Sequence, residues 1–361
     1  MASSSVLHLT HTDITIDGRI LKEMEALRDN FLVFGVGVSK LERNTEGMKT
    51  FRSKPVFGSK ILGYLWCYLT LIRFVLSMKP HIVHVHDWYM LPIGCLVKLF
   101  RNSRLVYDAH ELEVDVNSTS KFRKYAAIVV EYVFVRFIDR FITVSDTINE
   151  FYIQRYKKIK NDNSVVILNA PSLDIPKNLD GREVCINRDK LNIIYVGGIE
   201  NGRGIEQFIE YCSALESHID FYLLGYGSLE SSLKKQVETA KLSNVNFLGR
   251  VSHSEVTAYV EKMDYGLCII EPVSKSDEYC LPNKLFEYYC SGKRIIGSNL
   301  IEIKQFIENN KCGLILDESW SANQLLTQLE EDMKTPSEST VNMKYSWEHQ
   351  AKLLVELYEG I

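Results

Sequence analysis

Segments with the pattern of β-strands alternate with amphipathic helical segments along the whole of this 361-residue chain. Such alternation is typical of parallel sheets that are covered by helices. The first series predicts strands at residues 6–10, 31–36, 81–86, 105–107, 141–144 and 165–168. The second series predicts strands at residues 191–196, 221–224, 246–248, 265–269, 294–297 and 313–316. Because so long a chain exceeds one ordinary core, we expect two α/β domains of about 170 residues each.

A polar segment at residues 172–190 separates the two series of strands and has the composition of a linker. After the second series, Trp347 and Leu354 belong to an apolar pattern with a helical period, which predicts a terminal helix. The predicted domains are therefore residues 1–175 and 176–340, followed by the terminal helix in residues 341–361.

The charge balance argues against nucleic acid as a partner. The formal net charge is −4 at pH 7, so the chain has no general attraction to phosphate backbones. The eight cysteines include no Cys-x-x-Cys pair, which favours free thiols in a reducing compartment over a disulfide framework or a zinc site. The first residues lack a basic region followed by an apolar core, so we expect no secretory signal and a cytoplasmic protein.

The stretch 279–298 carries the most specific pattern in the chain. Pro282 is expected at the first position of a short helix and Gly292 at its end, since proline and glycine suit those places. The unpaired N–H groups and the positive dipole end near Asn283 then form an anion site, with Lys284 beside it. Glu287 lies one turn further along, where its carboxylate can accept hydrogen bonds from two hydroxyls of a ribose. The pattern is typical of a clamp for a nucleotide diphosphate.

This stretch resembles the donor-site motif of the retaining glycosyltransferases of family 4, in which two glutamates are separated by seven residues. Glu287 matches the second glutamate, which binds the ribose in that family, and Tyr279 stands at the position of the first. The resemblance covers nearly the whole chain. It implies the GT-B fold, an α/β architecture of two Rossmann-like, doubly wound parallel-sheet domains that face a cleft, with a C-terminal helix crossing back to the first domain. It also implies that the second domain binds a nucleotide diphosphate sugar and the first binds the acceptor.

Glycine-containing turns follow several strands of the second domain, at the edge where open α/β sheets bind ligands. Members of the family usually carry an arginine directly after the first of these strands and a lysine shortly afterwards, both on the diphosphate. Here those positions hold Gly198 and Arg203, and Lys284 is the candidate substitute for the missing cation. The resemblance implies a donor-binding set made of Gly198, Arg203, Gly225, Tyr226, Arg250, Val251, Tyr279, Leu281, Pro282, Asn283, Lys284 and Glu287.

Histidine and carboxylate side chains end two neighbouring strands of the first domain. They are His84, His86, Asp87, Asp108, His110 and Glu111. Such side chains can bind a metal ion, and the alternative is that His84 and His86 are packed against helices. No tight four-ligand spacing is present, so we expect no metal site.

The resemblance makes His110 the candidate catalytic histidine, together with Glu287, because family 4 enzymes carry a histidine here that contacts the donor sugar near the reacting carbon. In the same family the loop after the first strand faces the diphosphate and the acceptor. Gly18 and Arg19 end that loop in this chain, and a place for Arg19 on the helix surface is the alternative. The implied acceptor and diphosphate side consists of Gly18, Arg19, His86 and Asp87.

Two helical segments of the first domain, residues 60–79 and 121–140, are unusually apolar. The first contains an arginine, and its uninterrupted apolar run is shorter than the ~18 to 20 residues that a membrane span needs. The second combines the basic residues Lys121, Arg123 and Lys124 with aromatic ones, as interfacial helices do. Contact with an anionic membrane and ordinary packing on the sheet are both open for these segments.

The sequence thus predicts a retaining glycosyltransferase that moves a sugar from a UDP- or GDP-sugar to an acceptor hydroxyl, in polysaccharide or glycolipid assembly. No cofactor and no divalent metal are expected, because Arg203, Lys284 and the helix start near Asn283 would stabilise the leaving diphosphate. The expected partners are the donor, a glycan or lipid-linked acceptor, and the cytoplasmic face of a membrane as a peripheral contact. Two alternatives stay open: a nucleotide-sugar epimerase of the same architecture, and a non-catalytic nucleotide- or sugar-binding partner protein.

Overall fold

The structure is a computed structural model, and it describes residues 4–45, 47–52, 59–116, 120–173, 184, 186–335 and 341–361. The chain divides into two compact units. Unit 1 comprises Met1–Leu168 and Gln350–Ile361, and unit 2 comprises Asn169–His349. Most of the predicted linker, and the predicted domain boundaries after residues 175 and 340, lie outside the described residues.

Unit 1 is built around an eight-stranded sheet. Its strands are β1 (Ser5–Leu9), β2 (Leu32–Ser39), β3 (Asn44–Thr45), β4 (Met48–Arg52), β5 (Ile82–His86), β6 (Arg104–Ala109), β7 (Arg140–Thr143) and β8 (Ser164–Val166). They lie in the order β3-β4-β2-β1-β5-β6-β7-β8, and every neighbouring pair is parallel except β3 with β4. All six strands predicted for this region are present. The last two strands at one end of the sheet, β3 and β4, were missed, because their short segments have little of the apolar pattern that marks a buried strand.

The helices of unit 1 begin at side chains that cap their first turns. They are α1 (Gly18–Leu27), α2 (Lys60–Met78), α3 (Asp87–Arg101), α4 (Lys121–Phe134) and α5 (Asp146–Arg155). The side chains before α1, α2, α4 and α5 accept a backbone N–H of the first turn, as aspartate and serine caps do. The predicted helix at 121–140 is too long, because α4 ends at Phe134 and Arg140 already belongs to β7.

Unit 2 is built around a six-stranded parallel sheet. Its strands are β9 (Leu191–Val196), β10 (Ile219–Leu224), β11 (Val245–Gly249), β12 (Tyr265–Cys268), β13 (Arg294–Gly297) and β14 (Gly313–Ile315). The order β11-β10-β9-β12-β13-β14 places β10 on one side of β9 and β12 on the other. The connections after β9 and β12 therefore leave in opposite directions, and a sheet of this kind binds ligands at such a point.

The helices of unit 2 are α6 (Ile205–Ala214), α7 (Glu230–Ala240), α8 (His253–Val260), α9 (Lys275–Glu278), α10 (Asn283–Cys290), α11 (Ile301–Asn310) and α12 (Ala322–Lys334). The terminal helix α13 (Trp347–Glu359) follows, and its residues from Gln350 onward belong to unit 1. Pro282 is the residue before α10 rather than its first residue, one position earlier than predicted. Gly292 follows α10 with a φ of +68°, a left-handed conformation that suits the end of a helix.

Among the described residues, every helix falls short of the combination of length and apolar composition that crossing a bilayer requires.

Candidate functional site

The turn after β9 lies directly against the turn after β10. Gly225 has a φ of +151°, and a Cβ atom built on it would lie 1.8 Å from the backbone oxygen of Gly197. Gly227 is crowded in the same way by the backbone oxygen of Ile199, at 2.2 Å. Only glycine fits at these two positions, because the obstacle is backbone rather than a mobile side chain. The predicted glycine turns are thus required by the approach of two loops at the carboxyl edge of the sheet.

Lys284, in the first turn of α10, is a buried cation at this edge. It is 8% exposed, and its Nζ lies 4.0 Å from the centroid of the Tyr195 ring. Burial and the charge of Arg203 lower the pKa of Lys284 to about 8, whereas Glu287 acts in the opposite direction. Among the described residues, no carboxylate lies within ion-pair distance of either cation. Two basic side chains therefore act on each other near the start of α10, and the acidic groups that act on them, Glu287 on Lys284 and Glu200 on Arg203, form no ion pair with them in the described part of the chain.

The remaining residues of the predicted donor set surround this point in unit 2. Glu287 is half-buried one turn into α10, and the pKa shift of Lys284 shows that the two charges interact. Tyr279 ends the short helix α9, whose start is a reciprocal cap formed by Ser274 and Asp277. Leu281, Pro282 and Asn283 lead from that helix into α10. The chain thus places Tyr279 and Glu287 on two successive helices rather than on one.

Tyr226 and Arg250 form an exposed pair after β10 and β11. The Arg250 guanidinium lies 5.0 Å from the centroid of the Tyr226 ring, within the range of a cation–π contact. Val251 follows Arg250 and is half-buried. Gly198 is exposed, and its backbone oxygen accepts a 2.6 Å hydrogen bond from the Tyr195 hydroxyl. An aromatic ring and a guanidinium plane at this edge can stack on a planar base.

In unit 1, an ionic layer lies buried on one face of the sheet. Register pairs His8 of β1 with His84 of β5, and His86 of β5 with Asp108 of β6, so these side chains point to one side. The members of this ionic layer are His8, Arg19, Glu23, His84, His86 and Asp108. The alternative of packed histidines therefore holds for His84 and His86, which are both wholly buried.

Arg19 is the cation of the ionic layer. Its Nη2 donates to both carboxylate oxygens of Asp108 at 3.2 Å, Nη1 donates to the Ile167 backbone oxygen at 3.0 Å, and Nε lies 3.0 Å from Glu23. It is 7% exposed, so the alternative of a helix-surface residue is wrong. Burial alone would raise the pKa of Asp108, but Arg19 and His110 hold it well below its usual range. Gly18, by contrast, is exposed at the first position of α1.

His110 lies at the exposed edge of this layer. Its Nε2 is 3.1 Å from Asp108 and 3.1 Å from His86 Nδ1, and its Nδ1 is 3.8 Å from Asp87. Although burial opposes protonation, Asp87 and Asp108 raise the pKa of His110 to about 9. Burial and His84 lower the pKa of His86 to about 3. At neutral pH, the Nε2 hydrogen of a cationic His110 therefore faces both the Asp108 carboxylate and a neutral His86.

The next histidine continues these contacts into the sheet. His86 Nε2 lies 3.0 Å from His8 Nδ1, and the tautomer of each ring decides which nitrogen donates. His8 Nε2 has no hydrogen-bond partner among the described residues. His110, His86 and His8 form a hydrogen-bonded row that leads from the edge of the site into the sheet.

Asp87 combines backbone strain with three titratable neighbours, His11, His110 and Glu113. It has a φ of +61°, which is rare for a residue with a Cβ and is typical of functional sites. His11 Nδ1 lies 3.6 Å from its carboxylate, opposite His110. Burial and the charge of Asp87 raise the pKa of Glu113 well above its usual range, so a protonated Glu113 donates to Asp87. Asp87 is therefore held as an anion between two histidines.

Two groups of these side chains have the composition of a metal site. The donor atoms of His8, Glu23, His84 and His86 lie within 4.8 Å of one another, and so do those of His86, Asp108 and His110. The donors of the second group are engaged with one another and with Arg19. In the first group, Arg19 pairs with Glu23 and His86 uses both ring nitrogens for other histidines, but Nε2 of His8 and Nε2 of His84 have no hydrogen-bond partner among the described residues. The second group therefore favours a hydrogen-bond network over metal coordination, and the absence of a metal site stays a prediction.

Several members of the unit 1 site were missed from the sequence. They are His8, His11, Glu23 and Glu113. His8 sits in an apolar strand and Glu23 in an amphipathic helix, where each pattern predicts only an element and a face. His8 lies in β1 directly across from the predicted His84. The sheet sets that pairing, so the sequence alone gave no signal for His8.

The sequence matches two protein families over most of its length. Residues 19–174 match the family described as Glycosyltransferase Family 4, and residues 190–331 match Glycosyl transferases group 1. The chain is 22% identical over 292 residues to chitobiosyldiphosphodolichol beta-mannosyltransferase of Kluyveromyces lactis, a match that covers 71% of this chain and 63% of that protein. It is 24% identical over 226 residues to the putative teichuronic acid biosynthesis glycosyltransferase TuaH of Bacillus subtilis, covering 59% and 55%. The chain thus spans less than two thirds of the length of these two relatives.

Solved structures with the same fold extend over the whole chain. Sucrose-phosphate synthase from Thermosynechococcus elongatus has a TM-score of 0.72 at 15% identity and covers 99% of this chain and 98% of its own. HepE of Anabaena, in complex with UDP-glucose, has a TM-score of 0.73 at 14% identity, covering 99% and 100%. These likenesses confirm the predicted GT-B fold. The two family matches together span most of the sequence, and the chain belongs to the group 1 glycosyltransferases of family 4.

Proposed function

We propose that this chain transfers a sugar from a nucleotide diphosphate sugar to an acceptor hydroxyl, with retention of configuration and without a metal ion. The observation that carries the proposal is the buried Lys284 with Arg203 beside it and no carboxylate within ion-pair distance among the described residues. A buried ammonium is costly unless an anion compensates it. A diphosphate at the start of α10 would supply that anion and would also meet the N–H groups of the helix.

The other residues at this edge have complementary roles. Glu287 accepts hydrogen bonds from the ribose hydroxyls, and Tyr226 with Arg250 stacks on the base. The glycine turns at Gly198 and Gly225 admit the donor close to the backbone. The structure of HepE with UDP-glucose supports a donor of this class for the fold, and we propose a UDP- or GDP-sugar here.

The chemistry follows from these charges. The bond between the anomeric carbon and the diphosphate oxygen breaks, and the acceptor oxygen forms the new bond on the same face of the sugar. The departing phosphate oxygen takes the proton of the acceptor hydroxyl. Arg203, Lys284 and the α10 dipole stabilise the diphosphate as its charge develops, which is the task of metal ions in other transferases.

In unit 1, His110 is the residue that we propose as the catalytic histidine. As a cation held between Asp87 and Asp108, it can donate from its exposed edge to a sugar oxygen near the reacting carbon. His86 lies beneath it and fixes its ring, whereas Arg19 fixes Asp108. We therefore assign contact with the sugar to His110, and positioning to His86, Asp87 and Arg19.

For the acceptor, we propose a lipid-linked glycan at the cytoplasmic face of a membrane, with unit 1 as a peripheral contact. The name of the Kluyveromyces lactis relative specifies a dolichol-linked acceptor, and a solved structure of similar fold is the lipopolysaccharide outer core galactosyltransferase WaaB. The seven described cysteines are free thiols, as is usual in a reducing compartment.

The test incubates the purified chain with a panel of UDP- and GDP-sugars, with and without a lipid diphosphate glycan and with EDTA throughout. Transfer should release nucleoside diphosphate and add one sugar mass to the acceptor, and NMR of the product should show the anomeric configuration of the donor. The anomeric configuration of the product decides between retention and inversion, a question that the relative named a beta-mannosyltransferase raises for this chain.

Each competing reading has its own outcome. Interconversion of nucleotide sugars without an acceptor would identify an epimerase. Tyr279 and Gly198, which replace two family residues, favour a non-catalytic binding protein as the second candidate, and binding without any turnover would identify it. Loss of transfer in EDTA that Mg²⁺ restores would contradict the metal-independent mechanism.

A further inference from the structure

Helix α4 turns a charged side chain toward the sheet and aromatic side chains toward solvent, which is the reverse of an ordinary helix that covers a sheet. On its inner side, the buried Glu131 carboxylate accepts hydrogen bonds from the hydroxyls of Tyr107 (2.7 Å), Tyr152 (2.7 Å) and Tyr156 (2.8 Å). On its outer side, Phe122 is 83% exposed and Tyr132 is 73% exposed. A surface helix normally turns charge outward and apolar groups inward. Packing of α4 on the sheet of unit 1 therefore does not explain the exposed aromatic side chains on its outer side.

Helix α2 shows a second apolar surface of the same kind. Its side chains Cys67, Leu71 and Val75 are buried against unit 1. On the opposite side, an exposed stripe with helical spacing consists of Leu62, Leu65, Trp66 and Leu69. Trp66 is 67% exposed, although tryptophan is usually among the best-covered side chains of a protein. Folding of unit 1 leaves this stripe uncovered.

Helix α3 contacts both α2 and α4 and so lies between them. It ends in two further exposed apolar side chains, Leu99 and Phe100. We call the exposed apolar side chains of α2, α3 and α4 the outer face. Its principal members are Leu62, Leu65, Trp66, Leu69, Leu99, Phe100, Phe122, Tyr125, Val129 and Tyr132.

The three helices that carry the outer face are basic in an acidic protein. They contain seven lysines and arginines and two acidic residues, Asp87 and Glu131, whereas the whole chain has a net charge of −4. Glu131 is buried, and Asp87 belongs to the site described above. Lys98 is paired with Asp139 and Lys124 with Asp115, outside these helices. The exposed charged residues of the three helices are all basic: Lys60, Arg73, Arg101 and Lys121. The outer face thus joins exposed aromatic side chains to positive charge.

We propose that the outer face docks on an anionic lipid bilayer and inserts its apolar side chains at the level of the headgroups. Positive charge and exposed aromatic groups on helices are the composition of surfaces that lie in this layer. A second copy of the chain is a poorer partner, because two positive faces would repel each other. This inference rests on the proposed function only for its purpose, which is to reach a lipid-linked acceptor.

Insertion, rather than charge alone, supplies the attachment. Of the three basic residues at the start of α4, Lys124 is paired with Asp115, and the Arg123 guanidinium lies over the Tyr89 ring at 5.2 Å. Lys121 is exposed. Few of these charges are therefore available to lipid, and attachment should weaken with salt without being lost.

A chain of contacts connects the outer face to the site in unit 1. Arg123 stacks on Tyr89, whose ring lies 4.2 Å from that of His11, and His11 is the ion-pair partner of Asp87. The start of α4 is thus two side chains away from Asp87. A bilayer held by the outer face would lie beside the edge of the sheet that carries Asp87 and His110.

The test measures co-sedimentation of the full chain with vesicles of phosphatidylglycerol and phosphatidylcholine in equal parts, at low and at high salt. The variant combines Trp66→Ser, Phe122→Ser and Tyr132→Ser, three exposed positions that leave the charge unchanged. The matched control combines Ile301→Ser, Met333→Ser and Met343→Ser, three exposed apolar positions of unit 2. Nucleoside diphosphate binding is measured for each protein.

We expect the outer-face variant to lose at least about tenfold in vesicle affinity, or about 1.4 kcal/mol. The control variant should sediment as the unaltered chain does, and high salt should weaken that sedimentation only partly. The fluorescence of Trp66, seen as the difference from Trp66→Phe, should shift to shorter wavelength with vesicles.

Three results would overturn the proposal: no sedimentation of the unaltered chain at low salt, complete loss of it at high salt, or an unaltered affinity of the outer-face variant. A dimer that the outer-face variant turns into a monomer would instead assign the face to a second copy. If nucleoside diphosphate still binds in these cases, only the docking fails. If the unaltered chain binds no nucleoside diphosphate, the proposed function itself fails.

Discussion

Arg19 of unit 1 and Lys284 of unit 2 are both buried basic side chains, but their surroundings are opposite. Arg19 in unit 1 is held by the carboxylates of Asp108 and Glu23. Lys284 in unit 2 has an aromatic ring and another cation as neighbours, and no carboxylate within ion-pair distance among the described residues. Burying a charge is costly unless it is paired. Arg19 is compensated within unit 1, as the buried Arg294 is by Asp332 within unit 2, whereas the compensation of Lys284 is left to a ligand. The difference indicates that Arg19 positions its neighbouring side chains, whereas Lys284 binds the proposed ligand.

The largest effect that this comparison predicts is on stability. Arg19→Met should lower the free energy of unfolding by about 3 to 5 kcal/mol, because it leaves the buried Asp108 carboxylate without its cation. It also removes the ion-pair partner of Glu23, whose pKa burial and Asp108 raise to about 8. Lys284→Met should leave the free energy of unfolding unchanged or raise it, because it removes a desolvated charge that has no carboxylate within ion-pair distance among the described residues. Urea denaturation of both variants measures this. Equal destabilisation by the two substitutions would remove the distinction.

The next largest effect is on nucleotide affinity. Glu287→Ala should weaken binding of the cognate nucleoside diphosphate roughly 10- to 150-fold, since charge-assisted hydrogen bonds are worth ~1.5 to 3 kcal/mol. Calorimetric titration measures this, with Glu308→Ala as a control at an exposed glutamate of the same unit. Unchanged affinity in a folded Glu287→Ala protein would remove the ribose assignment.

A smaller effect is expected on turnover from unit 1. His110→Ala should still bind nucleotide, while transfer falls at least about tenfold, because the contact is made mainly in the transition state. His218→Ala, at an exposed histidine of unit 2, is the control. A His110→Ala enzyme with the turnover of the unaltered chain would return His110 to a structural role.

The pH dependence of turnover follows from the same residue. The pKa of His110 is raised to about 9 in the folded chain, so the cation persists through neutral pH. Turnover should therefore fall as the pH rises through about 9. The raised pKa also stabilises the fold, and this contribution is fully present below the ordinary histidine pKa. It is lost as the pH rises through the folded-state pKa of about 9. A pH profile of transfer that stays flat across that value would contradict the cationic assignment.

Sequence reasoning predicted the fold well where patterns are local. Alternating apolar segments predicted the strands from β1 to β14 except β3 and β4, and Gly292 predicted the end of α10. It also brought Lys284 and Glu287 together, because both lie on one short helix. Cross-strand neighbours were beyond it: nothing in the local pattern shows that His8 meets His86, or that Glu131 turns inward to three tyrosines. Burial of a polar residue depends on partners far away in the chain.

The central claim is that a bound diphosphate compensates the buried charge of Lys284. Uptake of a proton on binding tests it most directly. Burial and Arg203 lower the pKa of Lys284 to about 8, so part of it is neutral in the unoccupied chain above that pH. A bound diphosphate should restore the charge. Titrations of UDP and GDP above pH 8, in two buffers with different ionisation enthalpies, should therefore show uptake of a proton with the nucleotide that binds. Lys284→Arg should bind without that uptake, because arginine stays charged. Binding by the unaltered chain with no proton uptake, or with the same uptake in Lys284→Arg, would contradict the account.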